Sequence, residues 1–337
     1  MRTTGIGIVG CGEIAIQRHI PSWKKNRKVR VVAVADIDEN KAMNVAKSFH
    51  IPRYYTDYKE MIKKEKDLEV IDVCTPVKYH REQVIEACRN GKHVAVEKPM
   101  AASVGDCQEM IKEAKKNDVQ LTICHTMRMY PTLKHIKRCI TRGDIGGIQL
   151  LHIITPYEEL QPWVLSQGGA LWELGIHRIY LILYLLGDVK EVEVKTYNSK
   201  DPQENMQIVF YTERGIGMMH LLKAKGEEQT TIYGINGRVR LLPLVFNTAI
   251  IEKYRKKNWL DIFKNELTSI LKMAKGITKR GFEHLIKRVK TTPHYILLDQ
   301  FIDAINGSRE VPVPPEEGEK SIAILMKIEK VIKEDVR

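Results

Sequence analysis

Glu173, His177 and Tyr180 fall within GGALWELGIHRIY (168–180), spaced four and then three residues apart. Side chains at i, i+4 and i+7 share a helical face, so this one would carry a carboxylate, an imidazole and a phenol among apolar neighbours. Imidazole changes charge near neutral pH, which equips such a face to take a proton from a hydroxyl. The same spacing also suits a hydrogen-bonded pair inside a packing helix. E-x-x-x-H could place two metal ligands on one face, but no further His or Cys cluster completes a set, and no metal is expected.

A second group of residues sits near the N-terminus. Gly10-Cys11-Gly12-Glu13-Ile14-Ala15 fits G-x-G-x-x-G/A directly after a strand-like run and at the start of a helical pattern. Gly10 would permit the tight turn, Gly12 the approach of a pyrophosphate, and Ala15 close helix packing, while amides at the helix start face the phosphates. Asp36, closing the next strand, is placed to accept the hydroxyls of an adenosine ribose. Its charge would repel the extra phosphate of NADP, which favours NAD and leaves NADP as the alternative. The runs C-T-P (74–76) and E-K-P (97–99) each end a strand pattern. The Lys98 ammonium there could stabilise the negative charge that builds on an alcohol losing its proton; a solvated strand edge is the plainer reading.

The elements needed to position these groups are legible. Over residues 1–124, short apolar runs (GIGIVG, VRVVAVAD, LEVIDVC, HVAVEK, VQLTIC) alternate with amphipathic stretches. That rhythm predicts an α/β dinucleotide-binding domain with a doubly wound parallel sheet. Residues 125–337 read as an α+β domain: a helix over 132–142, a strand, the helix carrying His177, and consecutive strand patterns joined by short turns. They predict an open, mainly antiparallel sheet. The C-terminal helix is expected to pack back on the first domain.

The chain starts without the charged and apolar regions of a secretion signal, and its longest apolar run is far shorter than the ~20 residues that span a bilayer. A cytoplasmic enzyme with buried, unpaired thiols is therefore expected; the six cysteines form no C-x-x-C pair. Net charge is +12 and concentrated: residues 253–290 hold twelve Lys or Arg against three acids. Trp259, Phe263, Leu267, Ile270 and Leu271 recur there at helical spacing, which predicts a basic amphipathic helix. Packing on its own protein or a subunit partner is the first reading, and contact with an anionic membrane surface or a phosphate-bearing ligand the next. No nucleic-acid reading module accompanies the charge.

Taken together, GCGEIA, Asp36, T-P-x-x-x-H (Thr75, Pro76, His80), GKHVAVEKPMA, R-x-Y-P (Arg128 to Pro131) and GGALWELGIH resemble the Gfo/Idh/MocA family, the glucose-fructose oxidoreductase and inositol dehydrogenase group. The resemblance runs from residue 4 to about 330, apart from the basic segment. It implies an N-terminal Rossmann domain, homo-dimers or homo-tetramers, and NAD(P)-dependent hydride transfer with a secondary alcohol or ketone of a sugar, polyol or nucleotide-activated sugar. A non-catalytic, cofactor-binding sensor on the same fold is the alternative. Carried over, it implies catalytic roles for Lys98, His177 as base, and Glu173. Gly10, Gly12, Glu13, Ile14, Asp36, Thr75, Pro76, His80, Glu97 and Lys98 become cofactor residues, and Arg128, Tyr130 and Tyr180 substrate residues; the Trp163 ring, read by itself, could stack on the apolar face of a sugar substrate, with packing the plainer reading. Glu173 stands where the family usually has Asp, and Tyr180 where many members have another Asp.

Overall fold

The computed structural model describes residues 3–166, 168–197, 204–241, 249–254 and 292–335, without the side chains of Trp163 and Asp335. The Trp163 ring and the basic stretch from 255 onward lie outside the described residues. The chain divides into two compact units, Met1–Thr126 with Thr291–Ala323, and Met127–Lys290 with Ile324–Arg337.

The first unit is built on six parallel strands: β1 (Thr4–Val9), β2 (Val29–Ala35), β3 (Arg53–Tyr55), β4 (Leu68–Val73), β5 (His93–Val96) and β6 (Leu121–Ile123). Their order is β3-β2-β1-β4-β5-β6, the doubly wound arrangement in which strand order reverses between β1 and β4. Helices cover both faces, so the central strands must be apolar on both sides. Ile6, Ile8, Val32, Ala33, Val34, Val70 and Ile71 are accordingly buried. The short edge strand β3 was not expected; its three residues RYY carry too little pattern to register.

Part of the C-terminal chain belongs to this unit. Helix Pro293–Ile305, capped by the Thr292 hydroxyl on the Tyr295 amide, places Asp299 against Asn26 (3.1 Å) and Lys28 (2.9 Å). Farther along, the Val313 carbonyl accepts the Thr122 hydroxyl at 3.0 Å.

The second unit holds seven strands: β7 (Ile148–Tyr157), β8 (Val189–Thr196), β9 (Asn205–Thr212), β10 (Ile216–Lys223), β11 (Gln229–Gly234), β12 (Gly237–Leu241) and β13 (Ala249–Lys253), ordered β13-β12-β11-β7-β10-β9-β8. All pairs are antiparallel except β7 with β10, because β7 inserts between β10 and β11. Alternation sets the faces: Met206, Ile208 and Phe210 of β9 are buried while Gln207 and Val209 are half-buried. Helix Ile176–Leu186 packs on this sheet, with the Ile182 side chain over Gly217, where a Cβ would come within 3.2 Å. Among the described residues, no helix is long and apolar enough to cross a membrane.

Candidate functional site

The first unit opens a cleft of about 690 Å³ at the carboxyl ends of β1, β2 and β4, beside the point where strand order reverses. Gly10, Gly12, Asp36, Thr75 and Pro76 all line it. Gly10 holds φ +96°, and a Cβ there would lie 2.8 Å from the Cys74 carbonyl oxygen, so only glycine closes this turn without strain. At Gly12 a Cβ would meet nothing within 4 Å, because the residue faces the open cleft. Ala15 is fully buried under the helix that begins here. These features form a cradle suited to a dinucleotide pyrophosphate: backbone that approaches closely, then a helix start with its amides forward.

Asp36 is held by backbone amides on both of its oxygens. Its Oδ2 accepts the Cys11 amide at 2.8 Å and its Oδ1 the Asp38 amide at 3.0 Å, so the carboxylate is locked across the mouth of the glycine turn. The remaining lone pairs suit vicinal hydroxyls. Glu13 bonds Gln17 at 2.6 Å on the exposed side, so its side chain turns to its own helix and its contribution, like that of Ile14, rests on the backbone.

Three residues expected to contact a ligand are buried and hold partners within the protein. His80 is fully buried, with Nε2 2.7 Å from the Thr75 carbonyl and Nδ1 3.0 Å from the Pro99 carbonyl. It ties the loop after β4 to the loop after β5; burial lowers its pKa against the pull of those carbonyls. Glu97 is also buried, its Oε1 2.7 Å from His19 Nε2 and its Oε2 accepting the Lys98 amide at 3.1 Å. Tyr180 is 1% exposed and stacks on Tyr184, with centroids 6.4 Å apart.

His19 was not singled out from sequence. Its Nδ1 meets both oxygens of Asp72 (2.8 and 3.0 Å), and Asp72 also accepts the Trp23 indole at 2.6 Å. Burial opposes charge on this ring most strongly of any one cause, but the charge and hydrogen bond of Asp72, joined by those of Cys74, outweigh it and hold its pKa well above the ordinary value. Burial likewise pushes Glu97 up, while the hydrogen bond and charge of His19 pull it down to about 2. The donor atoms of His19, Glu97 and His294, and of His19, Asp72 and Cys124, lie within 4.8 Å of one another. An imidazolium with both nitrogens bonded to carboxylates offers no lone pair to a cation.

This buried chemistry predicts the pH dependence of stability. Burial holds His294 down to about 4 and His125 to about 3, so between pH 6.5 and 4 the unfolded chain takes up protons that these rings refuse. Each ring then removes about 3 kcal/mol by pH 4. Glu97, lowered to about 2, contributes stability above its ordinary 4.5 that is lost as pH falls through 2. His19, raised, contributes below 6.5 and loses its share as pH climbs through its folded value. Urea unfolding is expected to show greatest stability near neutrality and a steep loss toward pH 4; a flat profile would contradict these assignments.

In the second unit, Glu173 lies in a π-helical turn (Leu171–Gly175) that runs into helix Ile176–Leu186, and both Glu173 and His177 are half-buried. At 3.6 residues per turn Tyr180 stands about 60° from His177, but Tyr184 only about 20°. Tyr184 is the residue that shares the half-exposed stripe. The Arg128 guanidinium lies 5.5 Å from its ring centroid, so Arg128, Tyr184 and Tyr180 form one stacked group. Tyr130 occupies the N-cap position of helix Pro131–Thr141 and is half-buried. Next to His177, Arg178 points the other way, into the sheet, to Thr155 Oγ1 (3.2 Å) and Glu228 Oε2 (2.5 Å), which fixes this turn of the helix. All six cysteines are buried and unpaired, and burial raises the thiols of Cys11 and Cys74 to about 12.

Comparison with known proteins follows the same division. The NAD-binding Rossmann fold of the GFO/IDH/MocA oxidoreductase family matches residues 4–125, and the GFO/IDH/MocA C-terminal domain matches residues 133–240. Myo-inositol 2-dehydrogenase of Thermotoga maritima is 28% identical over 190 residues, 56% of each protein, so the chain spans little more than half the length of the first curated relatives it matches. Among solved structures, the WlbA dehydrogenase from Bordetella pertussis in complex with NADH and UDP-GlcNAcA superposes with TM-score 0.80 at 21% identity, over 98% of this chain and 97% of its own. The aldose-aldose oxidoreductase from Caulobacter crescentus complexed with glycerol gives 0.79 at 20%, over 99% and 98%. At these identities the structural likeness is one of fold.

Proposed function

Since the chain belongs to the GFO/IDH/MocA family of NAD(P)-dependent oxidoreductases, we propose that it moves a hydride between NAD and a secondary alcohol or ketone of a sugar, polyol or nucleotide-activated sugar. The observation that carries this reading is the glycine turn and locked Asp36 carboxylate lining one cleft at the carboxyl edge of the sheet. Gly10, Gly12 and the amides around Glu13 and Ile14 would hold the pyrophosphate, Asp36 the ribose, and Thr75 and Pro76 the cleft wall. When bound, the nicotinamide supplies a hydride acceptor.

The chain's own residues would handle the proton and the oxygen. His177 takes the hydroxyl proton as the carbonyl forms and the C–H electron pair departs as hydride. Lys98 is the proposed hydrogen-bond donor to a substrate oxygen on which negative charge builds. Glu173 orients the imidazole or binds a neighbouring hydroxyl. Its side chain is one methylene longer than the family's usual Asp, which shifts the carboxylate by ~1 Å, enough to alter which hydroxyl is held. Inositol, aldose and nucleotide-sugar classes are the substrates to try first, on the pattern of the relatives named above.

The test is NAD reduction by the purified protein across inositols, aldoses and nucleotide sugars. Turnover is expected with at least one class, with kcat/KM for NAD about 10- to 100-fold above that for NADP, as two negative charges near 4 Å demand. Asp36→Ser is expected to narrow that ratio. Tight NAD binding with no turnover on any class would instead support a sensor.

A further inference from the structure

Lys98 is anchored through its backbone. Its amide donates to Glu97 Oε2 at 3.1 Å, and the other oxygen of that carboxylate is gripped by His19 Nε2 at 2.7 Å. His19 is held from behind by Asp72, which the Trp23 indole fixes in turn. The array therefore links the helix that follows the glycine turn, the end of β4 and the E-K-P turn. Every side chain in it from Trp23 to Glu97 is buried. Burying two carboxylates and an imidazole is costly unless each is paired, and here each one is.

We infer that His19 and Asp72 are positioning residues for Lys98: they hold the Glu97 carboxylate, and that carboxylate fixes the turn from which the Lys98 side chain departs. This deepens the proposed oxidoreductase reading and rests on it for the role of Lys98. The sequence offers a matching sign, since Asp72 is the one acid inside the otherwise apolar run VIDVC (70–74).

The electrical surroundings define what removal of His19 does. Asp72 and Cys74 face the ring from β4 and its end, Cys124 from the end of β6, and His294 from helix Pro293–Ile305 at 5.3 Å between centroids. Glu97 in turn feels Lys98, His294, His125 and His80. Of these, the His19 bond and charge do most to offset the burial of Glu97. Without them the carboxyl takes up a proton at much higher pH, and a protonated Glu97 is a poorer acceptor for the Lys98 amide.

His19→Gln and the milder Asp72→Asn are the variants to measure. With substrate, His19→Gln is expected to lower kcat about 10- to 100-fold, the scale of a small misplacement, with NAD affinity within about threefold of the parent. A new acid limb should enter the kcat profile between pH 5 and 7, and Asp72→Asn should show it at smaller amplitude. Without substrate, carbon-13 NMR of labelled glutamate carboxyls, with the Glu97 signal identified by its loss in Glu97→Gln, should show that carboxyl titrating higher in both variants. The Lys98 amide nitrogen should shift with it.

The two readouts separate the claims. Absence of turnover in the parent, with the Glu97 and Lys98 signals moving together, sinks the enzyme reading and leaves the mechanical link intact. A folded variant in which Glu97 still titrates as in the parent, or in which kcat and its pH profile are unchanged, overturns the positioning role. If His19→Gln does not fold, Asp72→Asn decides the question on the same measurements.

Discussion

Lys98→Met is expected to cut turnover by about 10²- to 10³-fold while the Kd for NAD stays within about threefold of the parent. Methionine keeps the length and apolar bulk of the stem and removes the ammonium alone, so packing is preserved and the donor is lost. The case for a large effect is local. Lys98 follows β5 at the carboxyl edge of the sheet, is half-buried, and has its backbone pinned by Glu97. A donor held in this way needs little reorganisation as charge builds on a substrate oxygen, which makes it worth more than a mobile surface lysine. Steady-state kinetics beside a fluorescence titration of NAD would separate the terms. Equal losses in binding and turnover would mean that Lys98 acts on the cofactor and not on the reacting oxygen.

Much of the first unit was readable because burial on both faces forces continuous apolar strands, and Gly10, Gly12 and Asp36 lie in local motifs with a physical reason for each type. The same local reading could not see partners far apart in the chain. His19 meets Asp72 across 53 residues and Glu97 across 78, so no periodicity joins them. Asp72 within an apolar strand was the available sign that something charged waited on the other side. In the second unit, alternation gave the strands, but not the insertion of β7 between β10 and β11, which depends on pairing across the chain. Counting from His177 at the helical period brings Tyr184, rather than Tyr180, onto the stripe that is half-exposed.

Arg178 bears on how His177 should be tested. Because its neighbour ties this helical turn to Thr155 and Glu228, His177 projects from a fixed backbone, and removing its ring should leave the helix in place. His177→Gly deletes the imidazole at a position next to a π turn, so the gentler His177→Asn is its companion. Both are expected to lower kcat by about 10²- to 10⁴-fold, the usual worth of a positioned general base, with NAD binding unchanged. Added imidazole should restore part of the lost turnover in His177→Gly, since the site is half-buried and a free ring can enter the vacated space. It should do little for His177→Asn, whose side chain occupies that space. A base acts on the proton of the hydroxyl, so rescue should grow with the basicity of substituted imidazoles; rescue by size alone, or full turnover without any imidazole, would remove His177 from the reaction and return Glu173 and His177 to the role of a hydrogen-bonded pair in a packing helix.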